Sequence, residues 1–192
     1  MSYSNSRDNV FINTDKRIFY IQDGIDNETI SKINYWLLWL LEEDESKEQS
    51  QKSYERKPIK IYINSNGGYV DDMWSLVDII LNSKTQIDTY CTGYAHSCGL
   101  FIFLSGKNRY ITKHTNMVYH QMSNYLNGAY QKIKESFDNL SISQKQVEEY
   151  MIERTKFTQD KLTEIREKKL DYKMFYDELL ELGVATGIIE SF

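Results

Sequence analysis

The chain has 192 residues, 41% of them hydrophobic and 27% charged, and its net charge is -5. This length suits one domain with a substantial core, and the composition is that of a soluble globular protein. The acidic balance, without a stripe of lysine or arginine, argues against nucleic acid as the main partner. The N-terminus lacks the apolar run of a signal peptide, and the apolar segment 36–41 is too short to span a bilayer. We therefore expect a cytoplasmic protein with no membrane partner.

The N-terminal third predicts an arm, a strand, a helix and a loop. Residues 1–14 are polar and unpatterned, which predicts a flexible arm. Residues 17–22 are typical of a short strand. Apolar residues then recur at spacings of three and four over 27–43, which predicts an amphipathic helix with Asp26 as its N-cap. Residues 42–58 contain no Leu, Ile, Val or Phe and predict a solvated loop or a frayed helix end.

Strand and helix signals alternate through the middle of the chain. Because such alternation favours parallel strands joined by crossover helices, we expect an α/β fold with a largely parallel sheet. The predicted elements are a strand at 59–63, a turn at 64–68, a helix at 70–81, a strand at 86–92, a buried helix at 97–104, and short strands at 110–111 and 117–119.

The C-terminal third is mainly helical by its pattern. A long helix at 128–155 has a single apolar stripe, and such a helix often packs against another subunit. A second helix at 158–168 begins at Thr158 as its N-cap. Asp171 lies in a break, and a last helix at 174–182 is stopped by Gly183.

Three strand ends carry residue types that acyl transfer needs, namely a nucleophile, a base and backbone N–H donors. They hold the glycine pair Gly67 and Gly68, the hydroxyl of Ser97 between nearby glycines, and the imidazole of His120. Taken singly, each has a simpler explanation. Ser97 can merely cap a helix, His120 can be structural, and a glycine pair usually marks a turn. Their combination favours a catalytic site.

The sequences at these corners resemble a known family. Asn-Ser-Asn-Gly-Gly at 64–68, Gly-Tyr-Ala-His-Ser-Cys-Gly at 93–99 and His-Gln at 120–121 are similar to the signature blocks of the ClpP peptidases, the proteolytic subunits of the ATP-dependent Clp protease. The resemblance extends over 17–189. It implies an α/β, ClpP/crotonase-like fold of repeated β-β-α units, with one peptidase domain at 15–192 and a protruding handle helix within about 121–157.

The resemblance also implies roles for individual residues. Ser97 is the nucleophile, His120 the general base, and Asp171, about twelve residues before Gly183, orients the imidazole. The backbone N–H groups of Gly68 and Cys98 form the oxyanion hole. No cofactor or metal is implied. Substrate binds as an extended strand beside Gly67, Tyr69, Val70, Met122, Ser123 and Asn124.

The partners implied by the resemblance are copies of the same chain and an ATPase. The chain is expected to form a homo-oligomer, a seven-membered ring that the handle helix can stack into a double ring. It has no Gly-x-x-x-x-Gly-Lys-Ser/Thr run and so no P-loop. A separate AAA+ unfoldase would therefore deliver unfolded polypeptide substrates.

The chain departs from the family pattern at several positions. Asn66 replaces a usual proline, and His96 and Cys98 flank the serine where alanine and methionine are usual. These two residues could also form a metal or thiol site. Residues 169–170 are Lys-Leu instead of an acidic–Arg pair linked to ring–ring contacts, and the polar segment 42–58 is long. The N-terminal arm is unlike the family's axial-pore segment, so a divergent member with a different partner is a hypothesis.

Two other functions fit parts of the pattern. A catalytically inactive ring subunit would keep the fold, although such relatives usually lose a triad residue that this chain retains. A crotonase-type acyl-CoA enzyme would use two backbone N–H groups on a thioester oxygen, but its acid–base carboxylates have no clear counterpart in this sequence.

Overall fold

The computed structural model describes residues 2–3, 10–123 and 125–192. Within them, nine strands form a single sheet and six helices are present. The strands are β1 (Ser2–Tyr3), β2 (Val10–Asn13), β3 (Ile18–Ile25), β4 (Ile59–Gly68), β5 (Ile87–His96), β6 (Arg109–Ile111), β7 (Asn116–Tyr119), β8 (Tyr172–Phe175) and β9 (Gly187–Ile188). The helices are α1 (Asn27–Ser50), α2 (Val70–Leu81), α3 (Cys98–Ser105), α4 (Tyr130–Arg154), α5 (Gln159–Glu167) and α6 (Tyr176–Glu181).

Parallel strands make up the centre of the sheet. The order is β1-β2-β3-β4-β5-β6-β9, and all neighbours from β3 onward are parallel. Strand β5 changes its neighbour along its length, because Thr89 pairs with β6 whereas Tyr94 pairs with β7. Strand β7 then pairs antiparallel with β8. The last residues of β4, β5 and β7 consequently lie side by side, which brings the predicted site residues to one edge.

The two faces of the central strands differ. In β4 the side chains of Ile59, Ile61 and Ile63 are buried and belong to the same core as residues of α1, α2 and α3. The alternate positions carry half-buried tyrosines, whose rings stack across neighbouring strands at centroid distances of 6.2, 4.8 and 5.0 Å. Period-two alternation of this kind explains why the segment forms a strand with one face in the core. The stacked rings belong to Tyr20, Tyr62, Tyr90 and Tyr110.

Helix α3 has no polar face. All of its eight residues are buried, as predicted for 97–104. Helix α4 is divided, since its N-terminal half is mostly exposed while Val147, Tyr150 and Met151 in its C-terminal half enter the core. No helix in the described part of the chain is both long enough and apolar enough to cross a membrane.

Four sequence-based assignments are corrected by the structure. Val10–Asn13 is not part of a flexible arm, because it pairs antiparallel with β3. The predicted turn at 64–68 is the end of β4, which stays paired with β3 up to Gly68. Helix α1 continues to Ser50, beyond its predicted end at 43, so the first part of 42–58 is the helix end rather than the loop of the two predicted alternatives. The predicted helix at 174–182 is shorter, because its first residues pair with β7 as β8.

A buried carboxylate explains the length of α1. Asp44, with no exposed side-chain surface, accepts two hydrogen bonds from Arg17 at 3.0 and 2.6 Å. It also accepts from Tyr54 and Thr85 at 2.5 and 2.7 Å. Burial tends to raise the pKa of Asp44, but its hydrogen bonds, that from Arg17 first, outweigh burial and lower the pKa below the ordinary 3.8. This carboxylate fixes the second half of α1 against the sheet.

Replacing Asp44 by asparagine is expected to lower the free energy of unfolding by about 3–5 kcal/mol at neutral pH, because the nearly buried Arg17 loses its counter-charge. The measurement is urea unfolding followed by circular dichroism. Because the folded chain lowers the pKa of Asp44, its stabilisation is present above the ordinary value and lost as pH falls through the lowered one. The difference between the two proteins should therefore be constant down to about pH 5 and shrink below it.

The control is Glu28→Gln, which removes an exposed partner of Lys32 at 3.1 Å on the same helix. It is expected to change stability by less than about 0.5 kcal/mol. If Asp44→Asn and the wild type unfold at the same midpoint urea concentration, the buried pair of Asp44 and Arg17 is not what holds α1 in place.

Candidate active site

Ser97 lies at a sharp corner between β5 and α3. Its φ is 52° and its ψ is -124°, a conformation that residues other than glycine adopt rarely and only when their surroundings hold them in it. The hydroxyl makes no capping hydrogen bond to α3, so helix capping does not explain the serine. A half-buried hydroxyl on a strained strand-to-helix turn has the geometry of a nucleophile elbow.

The end of β4 packs directly against this corner. Gly67 has a φ of 100°, and a Cβ atom there would lie 2.7 Å from the Cβ of Ser97 and 2.9 Å from the carbonyl oxygen of His96. At Gly68 a Cβ atom would overlap the carbonyl oxygen of Ile25. The two glycines are therefore required by close approach of backbone on both sides.

Ser65 fixes the glycine segment and was missed in the sequence. Its fully buried hydroxyl accepts a hydrogen bond from the Gly67 N–H at 3.1 Å and donates one to the carbonyl oxygen of Asp23. The period-two pattern contains the signal, because Ile61, Ile63 and Ser65 occupy successive inward positions of β4.

Cys98 begins α3 directly after the serine. Its Sγ donates to the carbonyl oxygen of Gly68 at 3.2 Å, which ties the helix N-terminus to the end of β4. Burial raises the pKa of the Cys98 thiol, and a thiol kept protonated is a poor nucleophile. As the first residue of the helix, Cys98 has an N–H without a partner inside α3. These features suit an oxyanion donor better than a competing nucleophile.

His120 follows β7, which runs beside the serine corner. The N–H of Ser97 donates to the carbonyl oxygen of Val118 at 2.9 Å. The Nδ1 atom of His120 lies 2.7 Å from the carbonyl oxygen of Gln121. A carbonyl oxygen only accepts, so Nδ1 must carry the proton, and Nε2 of the neutral ring keeps its lone pair. That is the tautomer a general base requires.

Asp171 lies just before β8. The antiparallel register pairs Tyr119 with Tyr172, so one further step would set His120 opposite Asp171. The side chain of Asp171 is exposed. Among the hydrogen bonds of residues 10–123 and 125–192, none joins His120 to Asp171 or to Ser97. The structure thus brings the three segments together without a hydrogen-bonded triad.

The predicted substrate-binding residues differ in their accessibility. Tyr69 is 71% exposed, Val70 packs partly against the core, and Ser123 is exposed. The N–H of Met122 already donates to Gln144 Oε1 at 2.8 Å, so in this conformation it is not available to a substrate strand. Asn124 lies outside the described residues. Gly67 packs on the serine corner.

The side chain of His96 contacts Asn116 and Tyr94 rather than the thiol of Cys98. Its Nε2 lies 2.9 Å from Oδ1 of Asn116, and its ring centroid is 5.2 Å from that of Tyr94. Cys98 instead directs its sulfur at Gly68. The two residues that flank the serine are therefore engaged in different hydrogen bonds, which explains how a second histidine fits beside Ser97.

A parallel α/β sheet with a strained serine at a strand–helix corner defines a protein class suited to acyl transfer. The model of the family described as "Clp protease" matches residues 4–192. The chain is 29% identical over 175 residues to ATP-dependent Clp protease proteolytic subunit 1 of Shouchella clausii, covering 90% of this chain and 84% of the relative. It is 28% identical to proteolytic subunit 2 of Chlamydia trachomatis serovar D, covering 91% and 81%. The chain therefore belongs to the Clp protease family, which confirms the predicted family and fold class.

Proposed function

We propose that the chain is a serine endopeptidase of ClpP type that hydrolyses peptide bonds of unfolded polypeptides. The observation that carries the proposal is the positive φ of Ser97 at the start of α3, where its hydroxyl caps nothing and Gly67 packs against it. The names of the similar proteins, which are proteolytic subunits of an ATP-dependent protease, support the same activity.

The proposed reaction uses these groups as follows. Ser97 Oγ attacks the peptide carbonyl carbon while Nε2 of His120 accepts the hydroxyl proton. The N–H groups of Gly68 and Cys98 bind the negative oxygen that forms. The protonated imidazole then gives its proton to the leaving amine, and water hydrolyses the acyl-enzyme by the same steps. In this proposal Asp171 accepts a hydrogen bond from Nδ1 when the ring turns away from Gln121.

The proposal includes assembly and location. Helix α4 exposes apolar side chains in its N-terminal half, among them Phe137 at 58% and Ile142 at 58%, which supports contact with further copies in a ring or a stacked double ring. A separate AAA+ unfoldase is the proposed partner, and the cytoplasm the proposed compartment.

The test is labelling with a fluorophosphonate probe, followed by peptide mapping. The hydroxyl of an activated serine displaces fluoride from phosphorus, so the adduct is expected on Ser97 and absent in Ser97→Ala. Ser105, buried at the end of α3, is an internal control that should remain unlabelled. Labelling of no serine in any size-separated oligomer would refute the proposal.

A second candidate function is that of a non-catalytic ring subunit. The exposed Asp171 and the missing hydrogen bond between His120 and Ser97 favour it. It predicts that the chain assembles into rings yet neither reacts with the probe nor cleaves a fluorogenic peptide. Labelling of the assembled protein therefore decides between the two functions.

A further inference from the structure

One peptide unit next to the candidate base is held at both ends. Its carbonyl group, that of Gln121, accepts a hydrogen bond from His120 Nδ1 at 2.7 Å. Its N–H group, that of Met122, donates to Oε1 of Gln144 on α4 at 2.8 Å. Because the peptide bond is planar, fixing the N–H also fixes the direction of the carbonyl group. Gln144 thus acts on the imidazole through a rigid unit.

The orientation of the Gln144 amide is itself determined. Its Nε2 donates to Oε1 of Glu148 at 2.8 Å and to the hydroxyl of Tyr119 at 3.2 Å. A carboxylate only accepts, so the nitrogen must face Glu148 and the oxygen must face Met122. A flipped amide would lose both contacts, and for a side chain that is only 9% exposed this loss is costly.

Glu148 anchors the arrangement to the next helix. Its side chain is 3% exposed, and it forms an ion pair with Arg166 at 2.5 Å. Its second oxygen accepts from Gln159 at 2.9 Å. The carboxylate therefore joins α4 to α5 and leaves Gln144 little freedom to turn. A continuous chain of hydrogen bonds connects Arg166 to the Nδ1 proton of His120.

We propose that Gln144, held by Glu148 and Arg166, is a positioning residue for His120. In the resting protein it keeps the Gln121 carbonyl group in place, so that the proton is already on Nδ1 when Asp171 takes over that hydrogen bond, and the lone pair of Nε2 is available to Ser97. This inference rests on the proposed function, because it gives the His120 tautomer a catalytic purpose. Gln144 itself does not contact the reacting atoms.

The test compares three variants. Gln144→Met keeps the length of the side chain but removes both hydrogen-bonding groups. The exchange variant Gln144→Glu with Glu148→Gln restores an acceptor for Met122 and a donor beside it, with no change in net charge. Lys145→Met is the matched control, because Lys145 is exposed on the same helix and forms an exposed ion pair with Glu149.

Two readouts separate positioning from folding. Nitrogen NMR of histidine-labelled protein reports which nitrogen of His120 is protonated, whether or not the protein is active. The rate of Ser97 labelling across pH reports the same group as a base. We expect Gln144→Met to lose the fixed Nδ1–H tautomer and to label more slowly by on the order of 10²-fold. The exchange variant should keep the fixed tautomer, because the amide introduced at position 148 can accept from Arg166 through its oxygen and donate to the new carboxylate through its nitrogen. Lys145→Met should behave as wild type.

Persistence of the Nδ1–H tautomer and of the wild-type labelling rate in Gln144→Met would overturn the proposal. If Gln144→Met does not fold, the exchange variant is the test. Loss of the Nδ1–H tautomer of His120 in the exchange variant would also overturn the proposal. If wild-type protein never labels but Gln144→Met still loses the fixed tautomer, the proposed peptidase function fails while the role of Gln144 in fixing the His120 tautomer stands.

Discussion

Replacing Ser97 by alanine is expected to lower kcat for peptide hydrolysis by about 10⁶-fold, and replacing His120 by alanine to lower it by a similar factor. In the proposed mechanism the two residues act as a unit, because the hydroxyl is a weak nucleophile until the imidazole takes its proton. The double variant should therefore be no slower than either single variant. The variants should still hydrolyse the peptide about 10³–10⁴-fold faster than water alone, because the oxyanion hole and substrate binding remain.

Asp171→Ala distinguishes two ways of orienting the imidazole. If Asp171 takes over the Nδ1 hydrogen bond during the reaction, the loss should be about 10⁴-fold, smaller than for the other two residues. If the Gln121 carbonyl keeps that hydrogen bond, as it does in the structure, the loss should be slight. We expect the former, because the β7–β8 register leads from Tyr119–Tyr172 to His120–Asp171.

The measurements are kcat and KM for a fluorogenic peptide. Size-exclusion chromatography of each variant shows whether it still assembles. Ser31→Ala, an exposed serine on α1, is the control for substituting any serine and should be unchanged. Additive losses in the double variant would contradict a shared role for Ser97 and His120. An active Ser97→Ala protein would remove the serine from the mechanism altogether.

The elements predicted best from sequence are those whose apolar residues follow a single pattern, either helical or strand-like. Helix α2 spans Val70–Leu81, as its spacing of three and four predicts. The start of β4 at Ile59 and the buried helix α3 were also identified correctly to within a residue. In each case the apolar pattern agrees with the packing, because one face or the whole surface of the element enters the core.

Glycines misled the prediction at the end of β4. A glycine pair after a strand usually marks a turn, but Gly67 and Gly68 here remain paired with β3. The reason is tertiary, since the chain passes between Ile25 on one side and Ser97 on the other without room for a side chain. A single sequence does not tell a glycine needed for a turn from one needed for close approach.

The polar end of α1 lies within 42–58, a segment that lacks Leu, Ile, Val and Phe and so predicts either a solvated loop or a frayed helix end. It is helical because Asp44 is anchored in the interior by partners distant in sequence. Likewise, the inward positions of Gln144 and Glu148 in α4 are not predicted, because both residues are polar. The available signal is that each lies three residues before an apolar residue of the stripe, Val147 or Met151, and so on the same face of the helix. Their partners, Met122 and Arg166, come from other segments, which only the fold brings together.

Gly67→Ala is expected to lower kcat/KM by at least about 10²–10³-fold, the loss associated with one oxyanion donor. At a φ of 100° the added Cβ atom would lie 2.7 Å from the Cβ of Ser97 and 3.0 Å from the N–H nitrogen of Cys98. Either the serine corner or the glycine strand must move, and each carries one of the two proposed oxyanion donors. The strained backbone should also destabilise the fold by about 1–3 kcal/mol.

Gly24→Ala is the matched control, because Gly24 is the strand partner of Gly67 in β3. A Cβ atom there would approach only Asp26 Oδ2, at 4.0 Å, so activity should be close to wild type. Fluorophosphonate labelling separates the two effects of Gly67→Ala. Labelling of Ser97 that survives while peptide hydrolysis falls would locate the damage at substrate binding rather than at the nucleophile. Full activity of Gly67→Ala would mean that the glycine segment does not border the reacting carbonyl, and the oxyanion assignment of Gly68 and Cys98 would fall with it.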